Sequence, residues 1–236
     1  MSFDGRVTLK RQARVAGGLY LLVALSAPSG LVYVPGRVVV VGDAGATAEN
    51  LRALGGLVRL GMASELVHQI ICIFLVLALY RLFKAVDDGL AKQVVVLGAL
   101  VSVPIMFVNV LNDVAALLLV SGADFLAPFN RAETDALAFL FVRLHGEGIV
   151  VASIFWGLWL FPFGRLVMRS GFIPGVFGVL LILAGGAYLA ASFTRLLLPA
   201  YAGMVERVAL PLEMGEVPIV FWLLIWGVKA GRGAEA

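Results

Sequence analysis

The chain has 236 residues, 61% of them apolar and only 14% charged, with a net charge of +3. A soluble domain carries about 25% charged residues, so a water-soluble globule is excluded. No basic stripe with interleaved aromatics lies outside the apolar runs, which excludes a nucleic-acid surface, and the single cysteine, Cys72, excludes a disulfide framework.

A helix needs about 20 largely apolar residues to cross some 30 Å of hydrocarbon. The apolar runs here are continuous and lack the period-2 alternation of barrel strands, so they predict helices, whose backbone groups are paired internally. Span one is expected at about residues 15–34. Arg6, Lys10, Arg11 and Arg14 precede it, and Ala27-Pro28-Ser29 loosely resembles a cleavage region, but the run is long and reads as a retained signal anchor. Span two, about residues 60–80, continues a helix that Asp43 or Thr47 caps and that Gly55-Gly56 bends. Span three, about 93–120, contains Pro104; span four, about 145–164, contains Pro162 and extends back toward Thr134. Spans five and six follow at about 174–194 and 209–228, the latter with Pro218. Connections are short, so residues 1–236 are expected to form one membrane domain, an all-α bundle of six transmembrane helices.

Orientation follows the distribution of Lys and Arg. With both termini inside, Arg6, Lys10, Arg11, Arg14, Arg81, Lys84, Lys92, Arg165, Arg169, Lys229 and Arg232 fall on the cytoplasmic side, leaving seven basic residues outside. The acids are distributed oppositely. Only Asp4, Asp87, Asp88 and Glu235 fall inside, and eleven of the fifteen lie on or near the outer side.

Counting at 1.5 Å per residue from the inner charges places the polar residues in depth. Glu65 and His68 of span two lie roughly 6 and 10 Å below the outer edge of the hydrocarbon, Asn109 of span three about 6 Å below it, and Asn112 and Asp113 near it. Glu213 and Glu216 of span six reach roughly 6 and 10 Å, while His145 and Glu147 of span four lie at the boundary. Ionisable groups at such depth cost about 2–3 kcal/mol each when exposed to lipid, so a shared layer predicts an outward-opening polar pocket. Glu65 and His68 face one way, as do Glu213 and Glu216; Arg143 and Glu147 can pair at i,i+4, with His145 on the opposite face of the helix.

Glu65-x-x-His68 has the spacing of metal ligands in bundle cores. A complete di-metal site needs two such motifs, and Glu213, Glu216 and His145 are only substitutes, so a hydrogen-bonded cluster is the stronger reading and no metal ligand is assigned. His68 and His145 are the only candidate haem ligands, at depths about 10 Å apart; metal and haem are therefore not favoured. Hydrolase motifs such as Gly-x-Ser-x-Gly and His-Glu-x-x-His do not occur. A carboxylate or His145 acting as general base, with Arg143 steadying an anion, is what a membrane hydrolase would use. A proton-coupled transporter would titrate Glu65 or Glu216 in the same cavity. Cys72 and the tyrosines and tryptophans, Tyr20 among them, read as packing or interface residues.

Arg14-x-Ala16-Gly17-x-Leu19-Tyr20-Leu21, Arg59-Leu60-Gly61, Ser121-Gly122-Ala123-Asp124, Arg143-Leu144-His145, Arg169-Ser170-Gly171-x-Ile173-Pro174 and Gly215-Glu216 with Trp222 occur in that order. From about Arg11 to Lys229 the chain resembles bacterial membrane proteins grouped as domain of unknown function 4386. The resemblance implies the same multi-span fold and no particular reaction. It also lends emphasis to Glu65, Asn109 or Asn112, His145 and Glu216, and none to His68 or Glu213.

The expected function is that of a bacterial inner-membrane protein binding a small or amphiphilic ligand through Glu65, Asn109, His145 and Glu216, with His68, Asn112, Asp113, Arg143, Glu147 and Glu213 as secondary candidates. Membrane lipids are its expected surroundings and a partner membrane protein an alternative occupant. The other function classes are a membrane hydrolase or metal or haem oxidoreductase, a proton-coupled transporter, and a non-catalytic accessory subunit. The orientation is directly testable: a reporter fused in the loop near Ala127 should respond as extracytoplasmic, and a cytoplasmic signal there reverses every depth assigned above.

Overall fold

A computed structural model describes residues 3–228, with side chains from residue 7 onward. Lys229, Arg232 and Glu235 and the side chains of Asp4 and Arg6, all used above for orientation, lie outside the described residues. The chain is 88% helical, with no strand among the described residues. Six helical stretches are long and apolar enough to cross a membrane: Val7–Val38, Gly55–Phe83, Asp88–Leu119, Arg131–Ser170, Gly175–Leu197 and Pro199–Ile225, here spans one to six. The protein is a multi-pass membrane protein with the six spans expected from its apolar runs. Span four starts well before His145, at Arg131, because Leu137 to Val142 are apolar and no breaker intervenes.

Each interruption within a span is set by a proline. Proline has no N–H, and its ring collides with the carbonyl four residues earlier. Pro35 and Pro104 are each preceded by a wider π-helical stretch, Ser29–Tyr33 and Val96–Val101, which contain the crowded residues Leu31 and Leu100. Pro162 coincides with a break at Trp159, directly after the crowded Leu158. Pro218 follows a 3-10 turn, Met214–Glu216, that contains the crowded Met214.

Two compact units divide the chain. The first comprises Met1–Val23, Ile71–Val103 and Val150–Ala236; the second comprises Ala24–Ile70 and Pro104–Ile149. The first unit packs by close backbone approach and by aromatic contact. Gly157 and Gly164 of span four lie against Gly185 and Gly178 of span five. A Cβ on Gly164 would lie 2.6 Å from the Gly178 carbonyl oxygen, and one on Gly157 would lie 2.7 Å from that of Gly185. The two pairs are seven residues apart on both helices, so they form one seam along a pair of antiparallel helices. Lipid is as apolar as any side chain, and such contact is a main source of helix association within it. Beside the seam, Trp159 and Phe163 stack with ring centroids 5.5 Å apart, and Phe83 meets Phe163 edge-on at 5.8 Å.

The second unit is tied by polar contacts at one end. Asp43 caps the helix Ala44–Ala53 by accepting from the Ala46 N–H at 2.9 Å, as its sequence position suggested. Arg52 of that helix pairs with the buried Asp135 of span four, and Arg131 lies 3.8 Å from both Glu49 and Asp135. The break at Leu54, before Gly55-Gly56, separates this helix from span two.

The glycine seam gives a stability prediction. Gly164→Val should lower the unfolding free energy by about 1–3 kcal/mol through overpacking, whereas Gly186→Ala, which meets nothing within 4 Å, should leave it unchanged or slightly higher. Thermal unfolding of the purified protein in detergent separates the two, and equal behaviour of the variants would discount the seam.

Candidate functional site

In the second unit, four helices bring together the polar residues that the sequence leaves at intramembrane positions. Glu65 comes from span two, Asn109, Asn112 and Asp113 from span three, and His145 from span four. His145 turns one ring nitrogen to each of two carboxylates. Its Nε2 lies 3.4 Å from Glu65 Oε1, and its Nδ1 lies 3.2 Å from Asp113 Oδ2. One ligating atom from each of the three residues lies within 4.8 Å of the others. Glu65 and His145 are 6% and 5% exposed, so water does not solvate them in bulk, while Asp113 is half-buried.

Neighbouring residues hold this arrangement. Asn109 donates from Nδ2 to the His145 carbonyl oxygen at 2.9 Å, and Asn112 donates from Nδ2 to Asn109 Oδ1 at 3.1 Å. Two missing side chains make the room. A Cβ on Gly148 would lie 1.9 Å from Asn109 Oδ1, and one on Gly30 would lie 2.6 Å from Glu65 Cγ. Gly30 belongs to the π-helical stretch of span one, the fourth helix at the site.

Bonding within the cluster is incomplete. His145 Nδ1 is close to Asp113 but makes no hydrogen bond, and Glu65 Oε2 has no hydrogen-bond partner although both atoms are buried. Such orphaned atoms are rare in native interiors, and an ion or water is among the usual reasons for them. The arrangement therefore offers one imidazole and two carboxylates to something small: a cation, a water, or the polar end of a ligand.

The remaining candidates make other contacts. His68 shares a 2.9 Å hydrogen bond with Ser26 Oγ through Nδ1 and is not a member of the three-residue group, although it is one helical turn from Glu65. Span four presents His145 inward, with Arg143 exposed and Glu147 half-buried. Glu216 belongs to the first unit, where Tyr20 donates a hydrogen bond to it. Tyr20 thus holds a carboxylate, a role that its sequence position as a packing aromatic did not suggest. Glu213 lines a cavity of about 170 Å³ in the first unit with Tyr188, Ser192, Arg195 and Glu206.

Gly30 and Gly148 were absent from the sequence-derived candidates. Asp113 was only a secondary one, although its i,i+4 relation to Asn109 places the two on one helix face.

Comparison with known proteins places the chain in a family. Over 76 residues, 32% of its length, it is 34% identical to a protein of Archaeoglobus fulgidus described as an uncharacterized protein, and the aligned stretch spans 44% of that protein. No solved structure matches the chain. The family model described as "Domain of unknown function (DUF4386)" matches residues 15–227, and this chain belongs to that family.

Proposed function

We propose that this chain is a multi-pass protein of the bacterial inner (plasma) membrane that admits a small polar or amphiphilic ligand from the outer side to Glu65, His145 and Asp113. The observation that carries this reading is the convergence of three ionisable side chains from three helices, two of them more than nine-tenths buried, with a carboxylate oxygen that has no hydrogen-bond partner. An ionisable residue within a membrane span costs about 2.5–3.5 kcal/mol at the bilayer centre on insertion scales. One such group is tolerable as a packing accident. Three that meet at one point are better explained by a ligand that interacts with them, because intramembrane ionisable residues mark substrate and ion sites.

Asn109 and Asn112 are positioning residues in this reading: Asn109 holds the His145 carbonyl and the half-buried Asn112 holds Asn109. Glu216, held by the Tyr20 hydroxyl in the first unit, is left out of the proposed ligand set.

Two measurements bear on the reading. In a Cys72→Ala background, Asn112→Cys should react with a membrane-impermeant maleimide added from the outer side. Val108→Cys, one helical turn deeper in the span and exposed to lipid, should not react, because the thiolate does not form in hydrocarbon. No reaction at position 112, or reaction only from the inner side, rejects an outward-opening site. The second measurement is a double-mutant cycle. Glu65→Gln and His145→Gln should each destabilise the protein by about 1–3 kcal/mol, and the double variant should fall short of the sum by about 0.5–3 kcal/mol, since the two groups interact. Strict additivity would remove the pair as a functional unit.

A further inference from the structure

We propose that Glu65, Asp113 and His145 bind a divalent first-row transition-metal ion. The proposal rests on the reading of this cluster as a ligand site and names the ligand.

The donor set comes first. One imidazole nitrogen and two carboxylate oxygens, with no thiolate, make a mixed nitrogen–oxygen site suited to ions such as Zn²⁺ or Mn²⁺ rather than to copper(I) or an iron–sulfur cluster. At metal–ligand distances of about 2.0–2.2 Å, neighbouring donors around a tetrahedral ion lie roughly 3.3 Å apart. Donors at His145 Nε2 and Glu65 Oε1, 3.4 Å apart, already have that separation. It is longer than a charge-assisted N–H···O bond, which lies at about 2.7–2.9 Å, so the imidazole and the carboxylate are neighbours without a good bond between them. All three donors fall within 4.8 Å, and drawing them around one ion needs side-chain movement of up to about 1.5 Å, relative to the ordinary donor spacing.

Charge and orphaned atoms are the second line. Metal ligands bind deprotonated, so in the metal-bound form two carboxylates and a neutral imidazole would bring two negative charges, which a divalent ion neutralises. The unpartnered atoms, Glu65 Oε2 and His145 Nδ1, are on residues at least 94% buried, and a metal is among the few partners that give buried lone pairs of this kind a role. An imidazole lends one nitrogen to an ion and commonly directs the other to a carboxylate or carbonyl that orients the ring. Here the backbone of His145 is fixed by Asn109, which donates to its carbonyl oxygen.

The surroundings are the third. Gly30 allows Glu65 to approach, Gly148 allows Asn109 to hold the backbone of His145, and Asn112 holds Asn109. Such supports keep ligands in place. Three protein ligands leave a coordination position open, as in sites that bind water or substrate rather than in closed structural ones.

The test uses the full chain purified in detergent, stripped with a chelator and titrated with Zn²⁺, and separately with Mn²⁺, by calorimetry and thermal unfolding. Wild type should take up one ion per chain and rise in thermal midpoint. Glu65→Gln and Asp113→Asn should each weaken binding by at least about tenfold and lose the rise. Asp113→Asn is half-buried and isosteric, so it keeps the test alive should Glu65→Gln not fold. Absence of stoichiometric uptake of either ion by folded wild type overturns the proposal, and so does uptake that both variants leave unchanged; a cluster that only shares protons gives the first result. Failure here with maleimide reaction intact at Asn112→Cys leaves the outward-opening site standing without a metal, whereas failure of both removes the site itself.

Discussion

Hydrocarbon cannot hydrogen-bond, and in this protein that single property sets which backbone irregularities survive and where polar side chains gather. A carbonyl deprived of its helical partner by a proline has no water to turn to within a span. At four prolines this carbonyl lies in or beside a local change of helix type, with π-helical turns before Pro35 and Pro104, a break at Pro162 and a 3-10 turn at Pro218, whereas Pro28 and Pro211 lie inside continuous α-helix. The same property makes a lone buried charge untenable, so these carboxylates within the spans have found company: Glu216 with the Tyr20 hydroxyl, and Glu65 and Asp113 with an imidazole.

The two units solve the problem of cohesion differently. In the first unit much of the cohesion comes from shape, with glycines letting two helices touch along a seam and large rings filling the space beside them. In the second unit, polar groups supply the specific contacts: Arg52 with Asp135, His68 with Ser26, Asn109 with the backbone of His145. Hydrogen bonds of that kind contribute about 0.6 kcal/mol on average within a bilayer. Their value is in register more than in strength, since a slip of one residue would leave all of them unmade.

The six spans and the Asp43 cap were legible because length, hydropathy and capping are properties of consecutive residues. The membership of the polar cluster was only partly so. Depth counted along each helix grouped Glu65, Asn109 and His145, but it put His145 at the boundary and Glu65 about four residues deeper, whereas their side chains are 3.4 Å apart. The count assumes straight, upright helices, and tilt or a π-helical turn shifts the register by enough to account for the difference. The same count could not show that Glu216 bonds to Tyr20, because depth carries no information about side-chain partners. The metal-like spacing of Glu65 and His68 carried little for a related reason: two residues on one face need not share a partner, and His68 bonds Ser26. Asp113 was undervalued because it was judged by depth rather than by its place one turn from Asn109.

Gly30 and Gly148 carry no chemistry, yet a Cβ at either position would occupy space that Glu65 or Asn109 now fills. The identity of the site is therefore written as much in hydrogen atoms as in carboxylates. A related chain that keeps the acid and the histidine but bears alanine at these two places would present the same ionisable letters without the same cluster. In comparing members of this family, the pair of glycines is a stricter marker of a shared chemistry than the charged residues it accommodates.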